Sequence, residues 1–268
     1  MRFKGKVVWI TGASSGIGEA LAHAFHGEGA EVILSARREA ELQRVAGDLA
    51  GSGGDAMVVP LDLADEASLG AAAGVVRERF GRVDILVNNA GLTMRATIAK
   101  TRMNVFRDLF ETNFFGPLAL AKLVMSADGN GGRIVVISSI AAKYATPLRS
   151  GYNASKAALE KIFAAYLAEE WANGLKVTTI VLGSADTNIS VNALTGDGGT
   201  YGKKNRIQAD GMDPAHVARR ILDAVERDRR EVMIAPLLQC WQVWRAKYFP
   251  RWSARMVRLR PRNQTPKT

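Results

Sequence analysis

Short apolar runs alternate along this chain with longer stretches of helical spacing. Residues 6–10 form a β-branched run closed by a glycine-rich turn. Residues 31–36, 56–61, 83–88 and 133–138 and Lys176–Leu182 are further strand-like runs. Between them, residues 15–28, 66–80, 104–126 and 152–173 repeat apolar positions at helical intervals. The first of these helices stops at Gly29, the residue type favoured just past a helix C-terminus. Strands alternating with helices of this length predict an α/β fold built on one doubly wound parallel sheet of about seven strands. Right-handed crossovers place helices on both of its faces. Residues 183–211 are the one long irregular stretch. So long a segment inside a compact domain reads as a substrate lid rather than an inserted coil.

Composition narrows the function classes. The chain has 268 residues, 47% hydrophobic and 23% charged, an ordinary globular balance that argues against disorder. A single cysteine, Cys240, excludes an internal disulfide framework or a multi-cysteine metal site, and three histidines show no ligand spacing. The opening Met-Arg-Phe-Lys-Gly-Lys lacks a signal-peptide core, and no run is long enough to span a bilayer. The expectation is a cytoplasmic protein with no bound metal. The net charge of +10 is unevenly placed. Eight basic and no acidic residues follow Val232, which leaves +2 on residues 1–231. The chain thus divides into a catalytic domain over residues 1–236 and a basic C-terminal extension over 237–268. A uniform nucleic-acid-binding surface is a poor reading of the charge, and no nucleic-acid partner is expected.

The turn after the first strand reads Thr11-Gly12-Ala13-Ser14-Ser15-Gly16-Ile17-Gly18 and opens the first helix. Glycines at 12, 16 and 18 permit a tight turn and close approach of backbone to a pyrophosphate. The helix start, with Ser14, Ser15 and Ile17, offers free N–H groups and the positive end of the dipole. Strand, turn and helix in this order predict dinucleotide binding. An acid at the end of the second strand would accept from the ribose 2′-hydroxyl of NAD. Here the chain reads Ser35-Ala36-Arg37-Arg38, and guanidinium forks at 37 and 38 match a 2′-phosphate. The cofactor is therefore expected to be NADP(H). Asp62, with Leu63 beside it, stands just past the third strand, placed to meet the adenine edge.

Tyr152 and Lys156 lie four residues apart at a predicted helix start and share a face. A free tyrosine titrates near ~10, and a neighbouring ammonium favours its phenolate. The pair can therefore pass a proton near neutrality. Ser139 ends the preceding strand, where a hydroxyl can hydrogen-bond a substrate oxygen as charge develops on it. Ser138 is read as structural.

With Asn88-Asn89-Ala90-Gly91, these motifs make the sequence resemble the short-chain dehydrogenase/reductase family over about residues 5–235. The resemblance implies a Rossmann domain with strand order 3-2-1-4-5-6-7. It makes Tyr152 the acid/base, Ser139 the group polarising the carbonyl and Lys156 the partner that also holds the nicotinamide ribose. It assigns Asn113 to a proton-relay water, and Asn89, Ala90 and Gly91 to cofactor lining and sheet bracing. Gly183 and Thr187 match the segment touching the nicotinamide amide, although Leu182 stands where the family usually has proline. Family assembly through two long helices implies a homodimer or homotetramer. Together these give an oxidoreductase interconverting a carbonyl (ketone, aldehyde or 3-oxoacyl) and an alcohol. Ile189, Val191, Leu194, Tyr201 and Met212 give the lid an apolar lining suited to a hydrophobic substrate. The alternative is a non-catalytic NADP-sensing or scaffold protein tethered through its tail.

In the tail, Trp241, Trp244 and Tyr248 recur on one helical face, and Arg251, Arg255, Arg258 and Arg262 follow with the same period. Pro250 should break the helix between them. Two readings stand open: an aromatic face packed on protein with solvated arginines, or peripheral contact with an anionic membrane. On either, the tail lies outside the catalytic core.

Overall fold

The computed structural model describes residues 1–50, 55–125, 131–203 and 209–258, with side chains to Met256. Seven strands run in the order β3-β2-β1-β4-β5-β6-β7, every neighbouring pair parallel. They are β1 Val7–Thr11, β2 Glu31–Ser35, β3 Ala56–Val58, β4 Ile85–Asn88, β5 Arg133–Ser139, β6 Lys176–Leu182 and β7 Glu231–Ile234. Helices α1 Gly16–Gly27, α2 Glu39–Leu49, α3 Glu66–Phe80, α4 Met103–Phe110, α5 Gly116–Val124, α6 Ser150–Glu169 and α7 Pro214–Glu226 connect them. After β7 come α8 Leu237–Tyr248 and α9 Pro250–Arg258. The doubly wound sheet and its strand order agree with expectation. The hydrophobic pattern did not single out α2, α7 or β7. α2 and α7 lay Leu42, Val45, Val217 and Ile221 on one face of the sheet, and β7 extends its edge beside β6.

Alternation along β1 shows how the two faces are built. Val8 and Ile10 point to one side, where they meet Leu21 and Phe25 of α1, Leu42 and Val45 of α2 and Ile221 of α7. Trp9 points to the other, among Leu86, Ile134, Leu69 and Val76 of α3, Leu120 of α5 and Phe163 of α6. Burying each such side chain contributes about 1.5–3 kcal/mol. Trp9 also donates its indole N–H to Ser35 Oγ at 2.8 Å, so its polar edge is satisfied inside the sheet.

The helix predicted over 104–126 is real but interrupted. Between α4 and α5, Glu111–Phe115 form a five-residue π turn. Pro117 supplies the cause. It has no N–H to offer the carbonyl four residues back, which belongs to Asn113, and its ring crowds that carbonyl. The extra residue of the π turn relieves the clash. Gly116 then lets the chain pass Leu63, since a Cβ there would lie 2.1 Å from the Leu63 carbonyl oxygen.

The predicted lid is ordered where it is described, and residues 204–208 of it lie outside the described residues. Leu194 is held on both sides: its N–H donates to Thr93 O at 2.9 Å and its carbonyl accepts from Arg95 N–H at 2.8 Å. Gly196 accepts from Arg102 N–H at 2.8 Å.

The tail breaks at Phe249, just before Pro250, as its ring requires. Arg245, which the sequence periodicity does not single out, is buried between the rings of Trp241 and Trp252, 4.9 and 5.3 Å from their centroids. The aromatic faces supply a cation–π environment that partly replaces water. The tail does not stand apart from the site. Gln239 of α8 accepts from Ser184 N–H at 2.9 Å and donates to Ser184 Oγ at 2.8 Å, and Gln242 accepts from Tyr144 Oη at 3.0 Å. Leu237, Trp244 and Tyr248 remain exposed. No helix among the described residues is long and apolar enough to cross a membrane.

Candidate active site

The glycine-rich turn joins β1 to α1 at the carboxyl end of the sheet, where open α/β folds bind ligands. Gly12 and Gly16 adopt φ of +69° and +61°, a region that favours glycine. A Cβ on Gly18 would lie 2.1 Å from the Gly12 carbonyl, so the turn folds onto the helix only without a side chain. Ser15 makes no side-chain cap, and the first-turn N–H groups of α1 face the turn unclaimed by it. Ser14 is buried, Ser15 exposed and Ile17 packed on the core. This is a cradle shaped for a phosphate-bearing group.

Asn89 braces the cradle from β4. Its Nδ2 donates to Thr11 O at 2.9 Å, while Thr11 Oγ1 accepts from the N–H groups of Asn89 and Ala90, each at 3.1 Å. Arg38 reaches over the lip, with Nη2 3.1 Å from Ser14 Oγ and 3.4 Å from Ser15 Oγ. Arg37 stands exposed beside it. Asp62 accepts from Ala64 N–H at 3.0 Å, so one carboxylate oxygen is engaged within its own turn, and Leu63 is buried. Thr187 lies across the turn, its Cγ2 3.1 Å from where a Gly16 Cβ would be. Gly183 is pressed by Ala235 and Gln239; a Cβ there would lie 2.5 Å from Gln239 Oε1.

The second half of the site comes from β5, the π turn and α6. Tyr152 and Lys156 are buried one turn apart on α6, and Ser139 ends β5 beside them. Gly91 sits between Asn113 and Lys156: a Cβ on it would be 3.1 Å from Asn113 Oδ1 and 3.3 Å from Lys156 Nζ. Asn113 is fully buried. It accepts from Leu92 N–H at 2.7 Å and donates to Leu92 O at 2.8 Å and to Ser155 Oγ at 2.9 Å. Ser155 passes the link on to Tyr152 O at 3.1 Å. The four residues predicted to carry the chemistry are thus brought together. Ser138 is structural as expected, donating to Glu160 at 2.7 Å.

The electrostatics correct one expectation. Lys156 was expected to lower the tyrosine's pKa. Instead, burial pushes Tyr152 above its ordinary value, opposed by the Ser139 hydroxyl and then the Arg149 guanidinium. Burial also drives Lys156 down to about 8, against the pull of Glu160. The reason is positional: Lys156 Nζ donates to Ile137 O at 2.8 Å, on the backbone of β5. Sequence reasoning missed Ser155, Arg149, Arg95 and Gln239. Only the spacing of Arg149, three residues before Tyr152, offered a signal.

Outside this site, Glu19, His23 and Asp48 offer ligand atoms within 4.8 Å of one another. Arg44 already pairs with both carboxylates, each at 3.0 Å.

Known proteins agree with this architecture. The family profile described as short chain dehydrogenase matches residues 6–197. A dehydrogenase/reductase SDR family protein 7-like of Anopheles gambiae is 42% identical over 247 residues, spanning 90% of this chain and 78% of its own length. Dehydrogenase/reductase SDR family member 7B of Mus musculus is 38% identical over 264 residues, 96% and 82% of the two chains. Among solved structures, a short-chain dehydrogenase from Streptomyces avermitilis superposes with a TM-score of 0.77 at 30% identity, covering 95% of this chain and 97% of that one. A metagenomic short-chain oxidoreductase in complex with NADP gives 0.73 at 26% identity, covering 88% and 99%. With a glycine cradle at one strand end, buried Asn113, Tyr152 and Lys156 gathered with Ser139 at another and these relatives, the chain belongs to the short-chain dehydrogenase/reductase family of oxidoreductases.

Proposed function

We propose that the enzyme is NADP(H)-dependent and interconverts a carbonyl and an alcohol, with Tyr152 as acid/base. The observation that carries this reading is the convergence of Asn113, Ser139, Tyr152 and Lys156 beside the glycine cradle. When bound, the dinucleotide supplies or accepts the hydride. Gly12, Gly16 and Gly18 would hold its pyrophosphate at the α1 N-terminus. Arg38, with Arg37 beside it, would take the 2′-phosphate, and Asp62 and Leu63 would border the adenine. Asn89, Ala90, Gly183 and Thr187 would flank the nicotinamide half. The NADP in a related oxidoreductase structure supports the choice of cofactor.

In the reducing direction, Ser139 donates a hydrogen bond to the substrate oxygen and the Tyr152 phenol gives that oxygen its proton. A phenol kept protonated by burial is ready for that direction. Lys156, with a relay water positioned at Asn113, would resupply the proton. The partly exposed apolar side chains of Ile189, Val191, Leu194, Tyr201 and Met212 on the lid segment support an apolar substrate.

Exposed Phe115 and Leu123, on the π turn and α5, support self-association through the long helices. The exposed aromatic face of α8 and α9 is the surface offered to peripheral membrane contact. Light scattering reads the first, and sedimentation with anionic vesicles reads the second.

The test of function is NADPH oxidation against a panel of ketones, aldehydes and 3-oxoacyl esters. Turnover that Tyr152→Phe lowers by about 100-fold or more supports the mechanism. Unchanged turnover in that variant refutes it. Fluorescence titration with NADPH and NADH should favour NADPH, and an Arg37→Ala, Arg38→Ala double variant should lose the preference.

A further inference from the structure

Arg149 stands beside Tyr152, and Arg95 acts on Arg149, with no acid paired to either among the described residues. Arg149 immediately precedes α6, three residues before Tyr152, and the groups acting on its charge are Tyr152, Arg95 and Tyr144. Arg95 lies against the lid, its guanidinium 5.4 Å from the centroid of the Tyr201 ring, with Nε buried and unpartnered. Among the described residues no ion pair joins either side chain to a carboxylate. The backbone holds the two together: Ala96 N–H donates to Leu148 O at 3.1 Å, and Gly151 N–H points at Met94 Sδ at 3.3 Å.

This arrangement opposes stability in three ways. Two like charges act on each other, and burial and then Arg95 push Arg149 below its ordinary range. Arg149 places a cation at the N-terminus of a 20-residue helix, against the dipole. Leu148 is held at φ +67°, a strained conformation for a bulky residue, to deliver the chain into that position. A buried, unpaired cation is expensive unless an anion arrives to meet it. The apolar cluster around Tyr152 and the catalytic hydroxyls supply none.

We infer that Arg95 and Arg149 anchor an oxoanion, a carboxylate or a phosphate, that the substrate carries a few bonds from the carbonyl beside Tyr152. The preferred substrate is then an amphiphile with an apolar chain for the lid, a carbonyl for Tyr152 and an acidic group for the arginines. The inference rests on the oxidoreductase reading above and deepens it.

The experiment compares kcat/KM, with NADPH, for two matched pairs: a medium-chain oxo acid against its methyl ester, and a 2-oxoalkyl phosphate against its parent 2-oxo alcohol. The wild type should prefer the anionic member of at least one pair by tenfold or more, and which pair responds tells carboxylate from phosphate. Arg149→Met and Arg95→Met should each lower that preference at least tenfold, with Arg149→Lys recovering part of it. A wild-type preference near one in both pairs, or a preference that neither methionine variant moves, overturns the inference. Should Arg149→Met fail to fold by circular dichroism, Arg95→Met, on a connecting segment, carries the test. Absence of NADPH oxidation with all four carbonyls would count against the oxidoreductase reading instead. Calorimetric titration with hexyl phosphate and hexanoate then decides the arginine site alone. Binding weakened tenfold or more in Arg95→Met upholds it, and binding equal to wild type, or none to either protein, overturns it.

Discussion

Replacing Asn113 with alanine removes three hydrogen bonds from the junction of β4, the π turn and α6. Leu92 N–H and Leu92 O lose partners at 2.7 and 2.8 Å, and Ser155 Oγ loses one at 2.9 Å. Leu92 is half-buried, so water reaches its freed groups only in part. At about 1 kcal/mol for each lost partner, the loss is about 3 kcal/mol. For a chain of this size that lowers Tm by about 6–12 °C, measured by calorimetry. Asn113→Asp is the sharper comparison. It keeps the acceptor for Leu92 N–H but turns the donor edge into an acceptor facing Leu92 O and Ser155 Oγ, and it buries a charge. It should be no more stable than the alanine variant despite its closer shape. Ser155→Ala combined with Asn113→Ala should show a coupling of at least about 0.5 kcal/mol, because the two side chains touch. A Tm for Asn113→Ala within about 2 °C of wild type would refute the reasoning.

Three other expectations follow from the same geometry. Lys156 titrates near 8 when folded against an ordinary 10.5, so between those values the unfolded chain holds a proton the native one has lost. Stability should therefore rise with pH from about 8 to 10, by an amount on the order of 3 kcal/mol over the full window, and Lys156→Met should lack the rise in urea titrations; parallel profiles would contradict this. Gly18→Ala drives a Cβ into the Gly12 carbonyl and should destabilise by about 3 kcal/mol, whereas Gly74→Ala, in open space on α3, should stabilise by about 0.5–1 kcal/mol; equal midpoints for the two would contradict the packing account. Gln239→Ala should reduce stability by about 1–2 kcal/mol and speed hydrogen exchange at the Ser184 amide; unchanged exchange there would mean that α8 does not hold the site loop.

Much of this protein is legible in its sequence because the information is local. The alternation in β1, the glycines at 12, 16 and 18 and the four-residue spacing of Tyr152 and Lys156 each report a constraint set by near neighbours in the chain. The parallel sheet, the cradle and the Tyr152–Lys156 pair follow from them, whereas Asn113 is indicated only by the family resemblance. What the tertiary structure decided is non-local. Pro117 puts the π turn at Asn113, but only the fold shows Asn113 bonded to Leu92 and Ser155. Burial depth, which no residue carries by itself, sets Tyr152 high and Lys156 low. Arg95 and Arg149 lie 54 positions apart in the sequence and meet because the Ala96 N–H bonds to Leu148 O. Gln239 closes on Ser184 from 55 residues away. Helical and strand periodicities report which face of an element is apolar. Which charges share a pocket depends on how the faces are stacked, and that is settled only when the chain has folded.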